Sequence, residues 1–204
     1  MMERGIVRRI DELGRLVIPK ELRKTLRIRE GDPLEIYASK DELVLKKYSP
    51  ITTINTYAQA IADGINSITE KVCLITDGDA VIYVTGNKHK EAIGKVISEQ
   101  MDKILKERKS VVLSKSDGGT IVPIIKGNDF EAENQIIVPM IFGGDCFGAI
   151  VVFDNDKASR FSSSDVKLVQ LGANFLSAQL IWFFVFGCGY LQPFTYYEKE
   201  KILL

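Results

Sequence analysis

The chain has 204 residues, enough for one large domain or two small ones, and its 27 basic and 27 acidic side chains leave no net charge. Hydrophobic residues make up 46% and charged residues 26%, which is ordinary for a soluble protein with a well-formed core. The three cysteines (Cys73, Cys146 and Cys188) lie far apart without metal-ligand spacing, and charges interrupt the first twenty positions. We therefore expect no disulfide framework, no metal site, no signal peptide and a cytoplasmic location.

The chain begins with a pattern that predicts two strands around a tight turn. Residues 5–10 and 15–18 are rich in β-formers, and the turn between them contains Gly14, which we expect at a positive φ. Pro19 ends the second strand and suits the first position of a helix, because its missing N–H would be unpaired there in any case.

A short helix and a hairpin complete this first segment. The helix is predicted over residues 20–26, and two strands with alternating apolar residues flank a turn at 39–42. About 50 residues supply too few apolar side chains to close a core, and oligomerisation is a common remedy. We therefore expect the domain formed by residues 1–47 to fold as an obligate homodimer.

The same segment carries a surplus of positive charge. Between Arg4 and Arg29 there are nine Lys or Arg against three Asp or Glu, although the whole chain is balanced. A clustered basic face on structured elements is the usual footprint for a polyanion. On composition alone, a solvated face balanced by acids elsewhere remains an equal alternative.

Residues 48–70 are predicted to form a linker followed by a helix. Pro50 disfavours helix at the residue before it, so residues 48–51 are typical of a linker. Apolar residues at helical spacing then predict a helix over 52–69. Its apolar face suits packing against the second domain or pairing with the same helix of a partner chain.

Residues 71–180 alternate strands and helices and predict a second domain. The predicted elements are a hairpin around Asp77-Gly78-Asp79, a helix over 90–107, short strands at 111–113 and 121–125, a hairpin formed by 136–141 and 149–153, and a closing helix capped by Ser162 to Asp165. This order predicts an α+β domain, with an antiparallel sheet that has helices on one side.

Residues 181–204 form an atypical apolar tail, since no charged residue occurs between Lys167 and Glu198. An extra packed or partner-binding tail is our first interpretation, and a sequence change near residue 181 is the second. Membrane attachment ranks last, because the strongly apolar part is too short to cross a bilayer comfortably.

The remaining chemistry-bearing residues favour structural roles. His89 is the only histidine and is expected on the surface, because one histidine cannot build a multi-histidine site. Asp77 and Asp79 fit a turn and not a calcium loop, and Cys73 and Cys146 fit small core positions. The glycine pairs at 118–119 and 143–144 fit turns. We expect no catalytic constellation, no enzyme activity and no cofactor.

The N-terminal motif resembles a known family. Gly-Ile-Val-Arg-Arg-Ile-Asp-x-Leu-Gly-Arg-Leu-Val-Ile-Pro-Lys-Glu-Leu-Arg, from Gly5 to Arg23, is followed by Gly31-Asp-Pro-Leu-Glu-Ile36 and resembles the AbrB-type DNA-binding domain. The resemblance implies an N-terminal, β-rich, swapped-hairpin dimeric barrel, in which two chains interleave their strands. The order of elements over residues 71–180 resembles a GAF domain, which implies a C-terminal α+β GAF-like domain.

The resemblance also implies a site and a function. The implied DNA-binding residues are Arg8, Arg9, Arg15, Arg23, Lys24, Lys46 and Lys47. Lys24 stands where the family often has arginine, so it keeps the charge and loses the bidentate fork. The implied protein is a sporulation-type transcription regulator, both activator and repressor, that binds double-stranded DNA as a homodimer. Its GAF-like domain would assemble a homotetramer and could sense an unidentified small molecule, and oligomerisation alone is an equal alternative for that domain.

Two other classes of function remain as alternatives. An antitoxin would use a similar swapped-hairpin domain, but the large structured second part argues against it. An enzyme fused to a DNA-binding domain lacks support, because no catalytic constellation is visible.

Overall fold

The computed structural model describes residues 6–30, 34–40, 42–47, 55–127 and 130–186. The chain divides into two compact units, Met1–Tyr48 and Ser49–Leu204.

The N-terminal unit contains one helix and one hairpin. Helix α1 (Lys20–Thr25) begins directly after Pro19, as predicted, and ends at Thr25, after which the N–H of Leu26 still bonds to the Leu22 carbonyl. Strands β1 (Leu34–Ser39) and β2 (Glu42–Lys47) pair antiparallel. The predicted helix and hairpin are therefore confirmed.

The strands predicted at 5–10 and 15–18 are not observed. Gly14 turns the chain with φ 76°, as predicted, yet the described residues on either side form no β-ladder. The two arms meet where the Asp11 N–H donates to the Arg15 carbonyl at 3.1 Å. An extended segment becomes a strand only when a second backbone lies beside it and pairs with its N–H and C=O groups. Within one chain, the described residues before and after Gly14 find little such backbone to pair with.

Within one chain, this unit leaves its apolar side chains in solvent. Val7 is 87% exposed, and Leu13 and Val17 are each 75% exposed. Of the residues in this unit whose exposure is described, only Pro19 is buried. Burying one such side chain stabilises a fold by about 1.5–3 kcal/mol, so a surface that covers this set would contribute strongly.

The C-terminal unit is built around a five-stranded antiparallel sheet. Its elements are α2 (Asn55–Thr69), β3 (Val72–Asp77), β4 (Val81–Val84), α3 (Glu99–Glu107), β5 (Val111–Ser114), β6 (Asn134–Phe142), β7 (Asp145–Asp154) and α4 (Ser163–Phe186), with 3-10 turns at Lys90–Ala92 and Lys115–Asp117. The strand order is β4-β3-β7-β6-β5. Both predicted hairpins are present, and the second closes through Gly143 and Gly144, which both have positive φ.

Helices cover both faces of this sheet, so the prediction of helices on one side is wrong. On one face α2 and α4 pack over side chains such as Ile75 and Ile150. On the other face Met101 and Leu105 of α3 pack with Leu74. Strand β6 shows why both faces are covered, because every residue from 134 to 140 is buried, whichever face of the sheet its side chain points to. A strand without polar alternation needs cover on both faces.

The predicted helix over 90–107 is also wrong in its first half. Gly94 has φ 79°, which ends the 3-10 turn, and α3 begins only after Ser98, whose Oγ accepts from the Met101 N–H at 3.0 Å. The predicted strand at 121–125 is reduced to one bridge, between Ile97 and Ile125. Both segments instead place apolar side chains over one face of the sheet.

The closing helix α4 starts at the predicted cap. The Ser162 Oγ accepts from the Asp165 N–H at 3.1 Å, and the Asp165 carboxylate accepts from the Ser162 N–H at 2.8 Å, which is a reciprocal capping arrangement. The helix continues to Phe186, and the rest of the atypical tail, including Cys188, lies outside the described residues. In the part of the chain that is described, no helix has the length and apolarity needed to span a membrane.

Gly148 in β7 provides a test of the central strand pairing. It has φ 145°, and a Cβ there would overlap the carbonyl oxygen of Thr76 and lie 2.8 Å from the Asp77 Cα. We expect Gly148→Ala to lower the free energy of unfolding by about 3 kcal/mol, measured by urea denaturation. The control is Gly64→Ala in α2, where a Cβ has open space. It should raise the free energy of unfolding by about 0.5–1 kcal/mol. Equal stability of the two variants would contradict this packing.

Candidate nucleic-acid interface

The turn before α1 is organised by Asp11. Its Oδ1 accepts from the N–H of Leu13 at 3.0 Å and from the N–H of Arg15 at 2.7 Å. Its Oδ2 accepts from the Arg15 Nε at 2.7 Å. These bonds hold the pKa of the Asp11 carboxyl below its usual range, and the bond from the Arg15 backbone N–H has the largest effect. The same residue thus fixes the turn and aims one arginine.

Arg15 remains available at the surface despite this ion pair. Its side chain is 72% exposed, and the contact with Asp11 engages only the Nε edge of the guanidinium. An exposed pair of this kind contributes little to stability, but it restricts the orientation of the side chain. Arg8 and Arg9, on the preceding extended segment, are also exposed.

Helix α1 presents two further predicted site residues. Arg23 and Lys24 are exposed neighbours in its last turn. The Arg23 N–H donates to the Pro19 carbonyl at 3.0 Å, and its own carbonyl accepts from the Ile28 N–H at 2.8 Å. The backbone under this guanidinium is therefore fixed on both sides.

The two predicted lysines at the end of β2 differ from each other. Lys46 stands opposite Glu35 in the hairpin, and its Nζ lies 5.3 Å from the centroid of the Tyr37 ring. Lys47 is half-buried, and its Nζ donates to the Arg27 carbonyl at 3.3 Å. Successive strand residues point to opposite faces, so these two cations do not act side by side.

Sequence reasoning missed three residues that shape this surface. Asp11 lies at the start of the predicted turn, and an aspartate at that position is the local signal of an Asx turn. Tyr37 supports Lys46 and donates its hydroxyl to Glu35 at 2.7 Å, which raises the pKa of Tyr37. Arg27 adopts φ 54° after α1, and no local signal marks a positive φ at an arginine.

His89 is not the surface histidine that the sequence predicts. It is half-buried, and its ring meets those of Phe130 and Phe153 edge-on at centroid distances of 5.2 and 5.6 Å. Burial, reinforced by the charge of Lys88, lowers the pKa of His89. Its aromatic partners follow it in the chain by at least forty residues, so no local pattern could reveal them.

The predicted Asp77 turn and the predicted core position of Cys73 are confirmed by the structure. The Asp77 Oδ1 accepts from the N–H groups of Asp79 and Ala80 at 2.8 and 2.7 Å, which confirms the turn. Cys73 is fully buried and Cys146 is half-buried, and burial raises the pKa of both thiols. Among the described residues, no group of three or more His, Cys, Asp or Glu side chains could hold a metal ion.

Comparison with protein families gives a match to each part of the chain. Residues 53–181 match the family described as stage V sporulation protein T C-terminal, transcription factor. Residues 7–53 match the family described as antidote-toxin recognition MazE, bacterial antitoxin.

Two curated proteins of Bacillus subtilis (strain 168) are similar to this chain. Stage V sporulation protein T is 41% identical over 181 residues, which make up 88% of this chain and 99% of that protein. The transition state regulatory protein AbrB is 45% identical over 78 residues, which make up 38% of this chain and 81% of that protein.

Solved structures reveal the fold of the larger unit. The GAF domain from Acinetobacter phosphoenolpyruvate-protein phosphotransferase superposes with a TM-score of 0.51 at 15% identity, over 67% of this chain and 95% of that chain. This likeness shows the fold alone. Together with the AbrB match, it confirms the predicted fold class: an AbrB-like N-terminal domain and a GAF-like α+β domain.

The Asp11 carboxylate makes the turn testable by hydrogen exchange. Because Asp11 accepts from the N–H groups of Leu13 and Arg15, we expect Asp11→Ala to speed exchange of both amides several-fold in the full-length protein. Asp11→Asn keeps an acceptor oxygen and should have a smaller effect.

The pH dependence of this protection has a defined sign. A lowered pKa in the folded state means that the contribution is complete above the unfolded value near 4 and is lost as the pH falls through the folded value. Intrinsic-rate-corrected protection should therefore be constant from about pH 5 to 7 and fall only below about pH 4. Loss of protection already near pH 6 would contradict a role for this carboxylate.

Proposed function

The chain belongs to the stage V sporulation protein T family of transcription factors, and we propose that it regulates transcription by binding double-stranded DNA through a homodimer of its N-terminal domain. The proposed DNA-binding residues are Arg8, Arg9, Arg15, Arg23, Lys24, Lys46 and Lys47, of which Lys47 would act through the Arg27 carbonyl and the others by direct contact. The relatives support DNA binding and oligomerisation at the level of the family.

One observation carries the proposal for the N-terminal domain. Exposed cations lie on locally fixed structure in the N-terminal domain. The same domain also carries apolar side chains that a single chain leaves exposed to solvent. Arg15 is tethered by Asp11, and Arg23 lies on a helix with a fixed start. Pairing of two chains would bury the apolar side chains and bring two copies of each cation onto one surface.

The chemistry of these cations suits DNA. Arginine forks can bond phosphate oxygens bidentately, and they can reach guanine edges in the major groove. The tether to Asp11 lowers the conformational freedom that Arg15 would lose on binding. Lys46 offers a point charge for phosphate, and Lys47 supports the surface through the Arg27 carbonyl.

The GAF-like unit adds the regulatory part of the proposal. It would join dimers into a homotetramer and report a small-molecule signal, so that the same protein activates some promoters and represses others. Its cavities support ligand binding, since one of about 350 Å³ lies beside Phe130 and Gln135. Oligomerisation alone is the competing role for this unit.

An antitoxin is the second candidate function. The match of residues 7–53 to an antitoxin family favours it. The similarity to stage V sporulation protein T extends over 88% of this chain, and the family model of its C-terminal domain matches residues 53–181. We therefore prefer a transcription regulator over a toxin-binding protein.

Single arginine substitutions test the DNA interface. We expect Arg15→Ala and Arg23→Ala each to weaken binding to a promoter fragment and to lower the slope of log affinity against log salt by about one if the side chain neutralises a phosphate. A lost base contact would cost about 1–3 kcal/mol instead. Fluorescence anisotropy at several salt concentrations measures both effects.

The control for this experiment is Lys103→Ala, on α3 of the GAF-like unit, whose side chain is 77% exposed. It should leave DNA binding unchanged. Sedimentation must show that each arginine variant keeps the dimer. Dissociation or unfolding of the dimer would mean that these arginines are structural, and an affinity insensitive to salt would contradict the electrostatic mechanism.

The regulatory role is tested in cells by genome-wide DNA capture with the full chain and with a chain lacking residues 52–204. We expect the truncated protein to lose occupancy at a subset of promoters, because the second domain joins dimers and carries the signal. Identical occupancy at all promoters would show that the GAF-like unit does not control DNA binding.

A further inference from the structure

A polar cavity of about 250 Å³ opens at the edge of the sheet in the GAF-like unit. Strand β5 forms this edge, and Ser114 at its end pairs with Asn134 of β6. The segment between β7 and α4 closes the other side through Lys157 and Arg160. The family match and the DNA interface assign no role to this cavity.

The cavity is lined by a buried side chain with an unpaired acceptor. Asn134 is 1% exposed, and its Nδ2 donates to the carbonyls of Asp156 and Ser159 at 3.0 and 3.1 Å. These two bonds fix the orientation of the amide. Its Oδ1 is buried and has no hydrogen-bond partner among the described residues. A buried acceptor without a partner is costly, so a ligand that brings an O–H or N–H donor would be stabilised here.

The lining carries an excess of positive charge. The lining contains three cationic side chains, Lys115, Lys157 and Arg160, and one carboxylate, Glu133. Glu133 forms an ion pair with Lys115 at 3.1 Å. No described carboxylate forms an ion pair with Lys157. The charge of the lining is therefore +2, from three cations and one anion, and it favours an anionic ligand.

Arg160 is held in place by the backbone of its own loop. Its Nη1 donates to the carbonyls of Lys157 and Ser159 at 3.0 and 2.7 Å. Its nearest carboxylate, Asp117, lies 4.0 Å from the Nε, beyond hydrogen-bond distance. Asn134 and Arg160 thus both donate to the Ser159 carbonyl, which places the Asn134 amide and the guanidinium next to each other in the lining.

We propose that this cavity binds a small polyol phosphate, with the phosphate between Lys157 and Arg160 and a ligand hydroxyl donating to the Asn134 Oδ1. A phosphate monoester near neutral pH carries up to two negative charges, which matches the lining, and guanidinium and ammonium groups are the usual partners of phosphate. Drug-sized ligands occupy about 300–1,000 Å³, so this volume suits a smaller molecule.

Binding there would join two parts of the unit. The ligand would bridge the β5–β6 edge and residues 156–160, which lead directly into the cap of α4 at Ser162. Ligand binding itself is independent of the DNA contacts. Its role as the signal rests on the proposed function.

Calorimetric titration of the full-length protein tests the site with glycerol 3-phosphate as the probe. We expect binding by the wild type, and about tenfold weaker binding of n-propyl phosphate, which has the same charge but no hydroxyl for the Asn134 Oδ1. Lys157→Gln and Arg160→Gln should each weaken glycerol 3-phosphate binding about tenfold or more. Lys103→Gln, outside the cavity, should have no effect.

The design separates folding from binding. Arg160→Gln could disturb its loop, but no carboxylate in the described part of the chain pairs with the Lys157 side chain, so Lys157→Gln removes only the charge. Three outcomes would each overturn the proposal. They are no binding of glycerol 3-phosphate at millimolar concentration, equal binding by wild type and Lys157→Gln, and tighter binding of malate than of the phosphate.

Anisotropy with a promoter fragment is run in parallel on the same samples. A failed titration with intact DNA binding contradicts only the ligand site, and failed DNA binding with a normal titration contradicts only the proposed function.

Discussion

The burial of apolar side chains in the N-terminal domain is the constraint on which the proposed DNA-binding surface depends. One chain exposes most of Val7, Leu13 and Val17, and its arms before and after Gly14 have no ladder between them. A second chain can supply both the missing backbone partner and the missing apolar surface. Since the basic residues lie on the same segment, a DNA-binding surface and a dimer would form together, and we expect DNA affinity to depend on protein concentration.

The GAF-like unit, in contrast, buries its apolar side chains within one chain. Its sheet is buried on both faces, with α2 and α4 on one and α3 on the other. The close approach of β7 to β3 at Gly148 shows how tightly the central strands fit. A unit with this much internal burial can hold cavities at its edges without losing its core, and the cavity lined by Asn134 lies at such an edge.

The two units hold their charged and polar side chains in different ways. In the N-terminal domain, Asp11 and Tyr37 contact Arg15 and Lys46 without covering them, which leaves both cations exposed at the surface. In the GAF-like unit, backbone carbonyls hold Arg160 and the Asn134 amide beside a small cavity. Exposed pairs of the first kind add little stability, so their value is in orientation.

The sequence alone determined the features that depend on neighbours within about four residues: the turn at Gly14, the helix start after Pro19, the Asp77 turn and the Ser162 cap. It also predicted a chain of two parts, as the two compact units have it, and its resemblance to a known family proposed a set of basic residues for the DNA site, because motif spacing is a local property. Only the tertiary structure decided that helices cover both faces of the sheet, that His89 lies among Phe130 and Phe153, and that the Asn134 oxygen has no partner. These outcomes depend on which distant segments pack together, and the burial that selects them is set by the whole fold and not by any short stretch of chain.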